Sequence, residues 1–166
     1  ILNYWGNRAE GYSEYNREEL AGEKWPEWIR EIKMHLPDRE RSEIRILDIG
    51  TGPGFFAILL AQEGYQVTAI DCTEEMLAEA QATVDRIRWI QMDAQQLDFS
   101  DQSFDLVVSR NLTWVLEEPE EAYREWYRVL KPGGVMVNFD ANWYRYLYDE
   151  EIGYPLLLQS GISITL

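Results

Sequence analysis

The chain has 166 residues, with 30 acidic against 15 basic side chains and a formal net charge of −15. That balance argues against nucleic acid as a ligand, because phosphate backbones are bound through Lys and Arg, and the length holds one α/β unit with a sizeable core and little else. No run of about 18 apolar residues marks a membrane span, no signal-peptide pattern opens the chain, and the single Cys72 excludes an internal disulfide, so the expected compartment is the cytoplasm.

Residues 7–20 and 23–35 read as two N-terminal helices, with Pro26 acceptable in the first turn of the second. The block from Tyr4 to Tyr15 is rich in aromatic residues, and Tyr12 and Tyr15 fall on neighbouring faces of such a helix. An apolar, β-branched strand over 44–49 contains Asp48 near its end. Gly50, Gly52 and Gly54 follow at alternate positions, and an apolar helix then covers 54–64. Strand, tight turn and helix in this order aim the helix N-terminus at the turn, where glycine permits unusual dihedrals and the close approach of a ligand. The dinucleotide fingerprint G-x-G-x-x-G is not met: the third glycine falls one place early and Phe55 stands in its position. A carboxylate two residues before the first glycine suits a cationic or hydroxyl-bearing ligand better than a pyrophosphate.

A second strand, 66–71, ends at Asp71, where an acid can accept both ribose hydroxyls of an adenosine. Helix 73–84 leads to a third strand, 87–92, followed by Asp93 and Ala94, and a fourth strand at 104–109 is followed by Asn111. Each of these aspartates also suits a helix cap or turn. Helix 118–130 places Ala122, Trp126, Val129 and Leu130 on one face. Lys131 suits its negative end, and Pro132 with Gly133 and Gly134 stops it before a fifth strand, 134–140, that ends on Asp140. The β/α alternation predicts an α/β fold, a doubly wound, Rossmann-like, mostly parallel sheet with helices on both faces and an N-terminal helical lid. One domain over 1–166 is expected, with the lid at 1–40, the core at 44–140 and a partial C-terminal part at 141–166. Ligand is expected at the carboxyl ends of the strands, where Asp48, Asp71, Asp93 and Asn111 fall.

Taken together, segments 46–60, 66–71, 87–94, 103–111 and 121–134 resemble the class I S-adenosylmethionine-dependent methyltransferases, from about Tyr4 to Asp140. The resemblance is nearest to the branch that includes the ubiquinone and menaquinone C-methyltransferases. It implies S-adenosyl-L-methionine as cofactor and S-adenosyl-L-homocysteine as product. It puts Asp48 near the amino-acid end of the cofactor, with the turn of Gly50, Thr51, Gly52 and Gly54 beneath it. Asp71 then meets the ribose, beside Cys72 and Met76. Asp93 meets the adenine amino group, beside Ala94, and Asn111 lies where the fourth strand reaches the methyl donor. The aromatic N-terminal helix would fold over the cofactor and exclude water. Against the family's usual sheet, 161–166 reads as a sixth strand after a helix at 155–159, with no counterpart to the antiparallel seventh strand. The link between helix 73–84 and strand 87–92 is only about two residues. These features, and the start at Ile1, are accounted for if residues are absent near 84–87 and 150–166.

The expected reaction is methyl transfer to a small-molecule acceptor by in-line displacement, which needs a general base only if the acceptor holds its proton. Asp140, Tyr12 and Tyr15 are the candidate catalytic residues. Trp114, Trp143, Tyr144, Tyr146 and Tyr148 follow strand ends and offer aromatic faces, although several such rings belong in a core. His35, before a Pro-Asp turn, reads as structural. One cysteine cannot make a multi-cysteine site, no zinc-type His/Cys spacing occurs, and no metal is expected. Ser109 to Trp114 holds no Asn/Asp-Pro-Pro-Tyr motif, which disfavours adenine or glutamine N-methylation. The alternatives are a non-catalytic cofactor-binding or regulatory domain of the same fold and an NAD-dependent oxidoreductase.

Overall fold

A computed structural model describes residues 2–22, 25–81, 86–141 and 160–165. Three short helices come first: α1 (Leu2–Gly6), α2 (Ala9–Ala21) and α3 (Trp25–Lys33). The helix expected at 7–20 is α2, and α1 is a further short helix set off from it by a turn at residues 7–8, where the Arg8 N–H closes on the Trp5 carbonyl at 3.0 Å. The alternating part follows as β1 (Arg45–Ile49), α4 (Phe55–Gln62), β2 (Gln66–Asp71), α5 (Glu74–Gln81), β3 (Arg88–Gln91), β4 (Phe104–Arg110), α6 (Pro119–Val129), β5 (Leu130–Ala141) and β6 (Ser160–Thr165). The expected helix at 155–159 and the aromatic residues Trp143, Tyr144, Tyr146 and Tyr148 lie outside the described residues, as does the link at 82–85.

The sheet has the order β3-β2-β1-β4-β5-β6, with β1 to β5 parallel. In β1 the residues alternate between two cores. Ile46 joins Phe56, Leu60, Val67 and Leu106 on the side of α3 and α4, while Leu47 and Ile49 join Val107 and Trp126 on the side of α6. A parallel strand covered on both faces reads as a continuous apolar run, which is why 46–49 shows no polar alternation apart from Asp48. Trp126, Ala122 and Val129 are fully buried, as the α6 periodicity requires.

Two expectations need correction. Strand β5 starts at Leu130, directly after α6, rather than at 134. Pairing passes from Phe104 and Leu130 to Leu106 and Val135, so Lys131 to Gly134 form an irregularity inside the strand rather than a loop before it. A Cβ on Gly134 would lie 2.9 Å from the Lys131 carbonyl oxygen and 3.1 Å from that of Asp105, so a side chain there is crowded by backbone. The last segment is also an antiparallel strand: β6 pairs with β5 in the register Asn138 with Ser163 and Phe139 with Ile162. The antiparallel partner that the sequence analysis found missing is this segment. Sequence pattern carries no sign of strand direction, which long-range pairing decides.

The order reverses between β1 and β4: from β1 the sheet grows one way through β2 and β3 and the other way through β4. A crevice opens at such a switch point, outside the carboxyl ends of the strands.

Candidate functional site

A cleft of about 300 Å³ occupies that crevice. Its floor is the turn after β1. Thr51 N–H bonds to the Ile70 carbonyl at 3.0 Å and Gly54 N–H to the Thr51 carbonyl at 2.9 Å, which folds the turn against the end of β2. Gly50, Gly52 and Gly54 have φ of +65°, +53° and +89°. A Cβ on Gly50 would lie 2.8 Å from Leu112 Cδ1, whereas one on Gly52 would meet nothing within 4 Å and would project into open space. Gly52 is therefore the point where the backbone itself is exposed to a ligand.

Asp48 is set behind this turn, 2% exposed. Its Oδ2 accepts Thr51 Oγ1–H at 2.6 Å and Ala57 N–H at 3.1 Å. Gly54 precedes α4 and offers no side-chain cap, so the carboxylate from the neighbouring strand binds an N–H in the first turn and also suits the positive helix end. Burial pushes the Asp48 carboxyl up to about 7, against those two hydrogen bonds, and the nearby Asp71 adds to the rise.

Asp71 is on the wall of the cleft. Its Oδ2 accepts Gly52 N–H and its Oδ1 accepts Thr73 N–H, both at 2.9 Å, so one carboxylate ties the glycine turn to the start of α5. Burial raises its pKa. Cys72 and Met76 line the same side. Asp93 and Ala94 line the far end. Asp93 Oδ1 accepts Gln95 N–H at 2.8 Å, an Asx turn, and the Ala94 carbonyl is held by Trp126 Nε1–H at 2.8 Å from α6.

The remaining side is built by β4 and the N-terminal helices. Asn111, at φ +54°, lines the cleft with Tyr12 and Trp5. Burial raises the Tyr12 phenol and keeps it protonated as a donor. Tyr15, in ring contact with Tyr12, is off the wall and 48% exposed. Thr51, Gly54 and Asp140 are also off the wall; among the described residues the cleft is lined by Gly50, Gly52, Asp71, Cys72, Met76, Asp93, Ala94, Asn111 and Tyr12 of the expected set.

Sequence reading missed two supports on α2 and one on β4. Asn16 Nδ2–H bonds to the Pro53 carbonyl at 3.0 Å, fastening α2 to the glycine turn. Arg110 lines the cleft with its guanidinium between the rings of Trp28 and Phe55, 4.9 and 4.7 Å from their centroids, and makes two bonds of 2.8 Å to the carboxylate of Glu19. Tyr12, Asn16 and Glu19 follow the i, i+4, i+7 spacing of one helical face, and that period was the available signal. Among the described residues no cluster of three or more metal-ligating side chains occurs, and no helix is long and apolar enough to cross a membrane.

The comparisons agree with this geometry. A family profile described as a methyltransferase domain matches residues 47–138. The malonyl-[acyl-carrier protein] O-methyltransferase of Enterobacter lignolyticus is 36% identical over 105 residues, 63% of this chain and 41% of that protein. The ubiquinone/menaquinone biosynthesis C-methyltransferase UbiE of Roseobacter denitrificans is 38% identical over 106 residues, 57% of this chain and 41% of that protein. Among solved structures, Haemonchus contortus phospholethanolamine N-methyltransferase 2, in complex with phosphomonomethylethanolamine and S-adenosylhomocysteine, aligns at 32% identity and a TM-score of 0.57. That alignment covers 62% of this chain and 26% of the other. The chain spans about half the length of the curated relatives it matches. The profile runs from the third residue of β1 past the middle of β5, through every strand end that builds the cleft, and by that match the chain belongs to the class I S-adenosylmethionine-dependent methyltransferases, in the branch of the ubiquinone and menaquinone C-methyltransferases.

Proposed function

We propose that this chain binds S-adenosylmethionine in the cleft and transfers its methyl group to a small-molecule acceptor. One observation carries the reading: the open backbone of Gly52, the Asp71 carboxylate that it touches and Asp93 line one cleft, in that order, at the ends of the adjacent strands β1, β2 and β3. A nucleoside fits this cradle. Asp71 would accept ribose hydroxyls with lone pairs beyond those used by Gly52 and Thr73. Met76 would pack on the base, and Asp93 with the backbone at Ala94 would meet its polar edge. Bound there, the cofactor supplies an activated methyl group on a sulfonium.

The protein's part is alignment and exclusion of water. Good alignment contributes about 7–11 kcal/mol in comparable reactions. Arg110, neutralised by Glu19 and braced by two rings, holds α2 against the end of β4, so that Tyr12 and Trp5 close the cleft beside Asn111. Tyr12, protonated, donates a hydrogen bond to cofactor or acceptor. The acceptor would enter beside α1 and α2, where Trp5 and Tyr12 line the cleft. Relatives named for O-, C- and N-methylation match the same core, so that core is the cofactor half and acceptor choice lies elsewhere.

Calorimetry is expected to show binding of S-adenosylhomocysteine and no binding of NAD, and release of S-adenosylhomocysteine over a metabolite panel reports turnover. Binding of NAD without S-adenosylhomocysteine would overturn the cofactor; binding without turnover on any acceptor would favour a regulatory domain. Asp71→Ala is expected to weaken S-adenosylhomocysteine by about 1–3 kcal/mol while the fold survives, the loss appropriate to charge-assisted hydrogen bonds. Unchanged affinity would leave Asp71 as a cap of α5 only. If α1 and α2 act as a lid, amide exchange over residues 4–20 slows when S-adenosylhomocysteine is added, and an unaltered exchange pattern would show that they are a fixed wall.

A further inference from the structure

We infer that Asp140 is a positioning residue whose carboxylate latches the turn at 111–116 onto β5 and thereby sets one wall of the cofactor cleft. The inference rests on the cofactor reading above. It starts from the register of the sheet, which places Ser109 of β4 beside Asn138 of β5. Asp140, two residues further along β5, stands on the same face. Ser109 Oγ–H donates to Asn138 Oδ1 at 2.6 Å, which orients the amide so that Asn138 Nδ2–H donates to Asp140 Oδ2 at 3.1 Å. The same Oδ2 accepts Thr113 Oγ1–H. Tyr123 of α6 faces the group from the other side, toward Thr113, Asn138 and Asp140. Four side chains thus run in series from β4 across β5 to the turn, and Ser109 and Asn138 are buried.

The turn held at the end of this series makes much of the cleft. Asn111, Leu112, Val115, Leu116 and Glu117 all line it. Asn111 leaves β4 in the left-handed region with its N–H on the Phe139 carbonyl at 2.8 Å, and its own carbonyl accepts Trp114 Nε1–H at 2.9 Å. Leu112 lies against Gly50, so displacement of the turn transmits directly to the glycine floor. Thr113 is the residue between these wall-forming neighbours, and its hydroxyl points away from the cleft to Asp140.

Asp140 is therefore placed to act through the turn and not on an acceptor. Its carboxylate is off the cleft wall, and Oδ1 is buried without a hydrogen-bond partner among the described residues. Leaving a carboxylate oxygen in that state is unfavourable. Burial raises the pKa of the group, against the hydrogen bonding of Asn138 and of the backbone at Thr113 and Leu112, which favours the carboxylate. A turn that needed only an acceptor for Thr113 would be served by a neutral side chain, so the charge strengthens the bond it makes to the hydroxyl.

Four variants of the whole chain test this: Thr113→Val, Thr113→Ser, Asp140→Ala and the double variant Thr113→Val with Asp140→Ala. Amide exchange over 111–116 without ligand reads the latch itself, and calorimetry with S-adenosylhomocysteine reads its effect on the cleft. Thr113→Val and Asp140→Ala are each expected to speed exchange in the turn and to raise the Kd for S-adenosylhomocysteine by about tenfold. The double variant should be no worse than either alone, and Thr113→Ser should restore both readings. Exchange at the wild-type rate in Thr113→Val and Asp140→Ala overturns the latch whatever the ligand does. Faster exchange with unchanged Kd overturns its role in the cleft. If Asp140→Ala abolishes turnover at unchanged Kd and Thr113→Val is innocuous, Asp140 is a base and the inference fails. Absence of S-adenosylhomocysteine binding in the unaltered chain, with exchange still faster in both variants, would instead sink the cofactor reading and leave the latch standing.

Discussion

Gly50→Ala is expected to destabilise the fold by about 2–5 kcal/mol, through left-handed backbone strain of about 1–2 kcal/mol and overpacking of about 1–3 kcal/mol. The backbone at Gly50 has φ +65°, and the added Cβ would lie 2.8, 2.9 and 3.1 Å from Cδ1, Cδ2 and Cγ of Leu112. Three atoms of one side chain stand in the way, so Leu112 and the turn that carries it must move. Denaturation of Gly50→Ala in a Leu112→Ala background separates the two effects. Relief of the clash should leave only the backbone part, so that Gly50→Ala costs about 1–2 kcal/mol there. An equal loss in both backgrounds would mean that Leu112 does not press on the turn.

The second large effect is a pH dependence of stability carried by Asp48. An ordinary aspartate titrates near 4, whereas burial holds Asp48 at about 7 in the folded chain. With the folded pKa above the unfolded one, the unfolded chain loses its proton first as pH rises. The contribution of Asp48 is fully present below about pH 4 and is lost progressively as pH rises to about 7, beyond which the loss is constant. A shift of this size corresponds to about 4 kcal/mol. Asp71 and Asp140 are raised in the same direction, so the wild-type slope is a sum. The informative quantity is the difference between the chain and Asp48→Asn, whose side-chain oxygen can still accept from Thr51 and Ala57. Urea denaturation from pH 4 to pH 8 should show stability falling more steeply for the wild type than for Asp48→Asn. Parallel curves would mean that Asp48 is ionised and solvated in the native state.

The same residue shows where sequence reading stops. In β1, Ile46 and Asp48 share one face by the two-residue period, but nothing in the sequence says which helix covers that face. The structure puts α4 there, and the carboxylate turns to the N-terminus of α4 instead of the cleft. Asp71 follows the same face rule in β2, yet it lies at the strand end beyond the cover of α4, and its carboxylate reaches the open backbone of Gly52. Two acids with one local signature thus take different positions, one behind the turn and one on the wall.

Sequence alone determined what depends on neighbours along the chain. Period-2 and period-3.6 apolar patterns are local, so the parallel β/α order and the α6 face of Ala122, Trp126 and Val129 were legible. The glycine turn was legible for the same reason, because positive φ is a property of single residues. Tertiary structure alone decided the contacts between distant positions: Arg110 with Glu19, 91 residues apart, Asn16 with Pro53, and Thr113 with Asp140. It also decided the direction of β6, which only pairing with β5 reveals. A charged or polar residue looks the same in sequence whether its partner is water, a ligand or another segment. Burial and register choose among these, and both are set by the assembled sheet and not by the residue's neighbours in the chain.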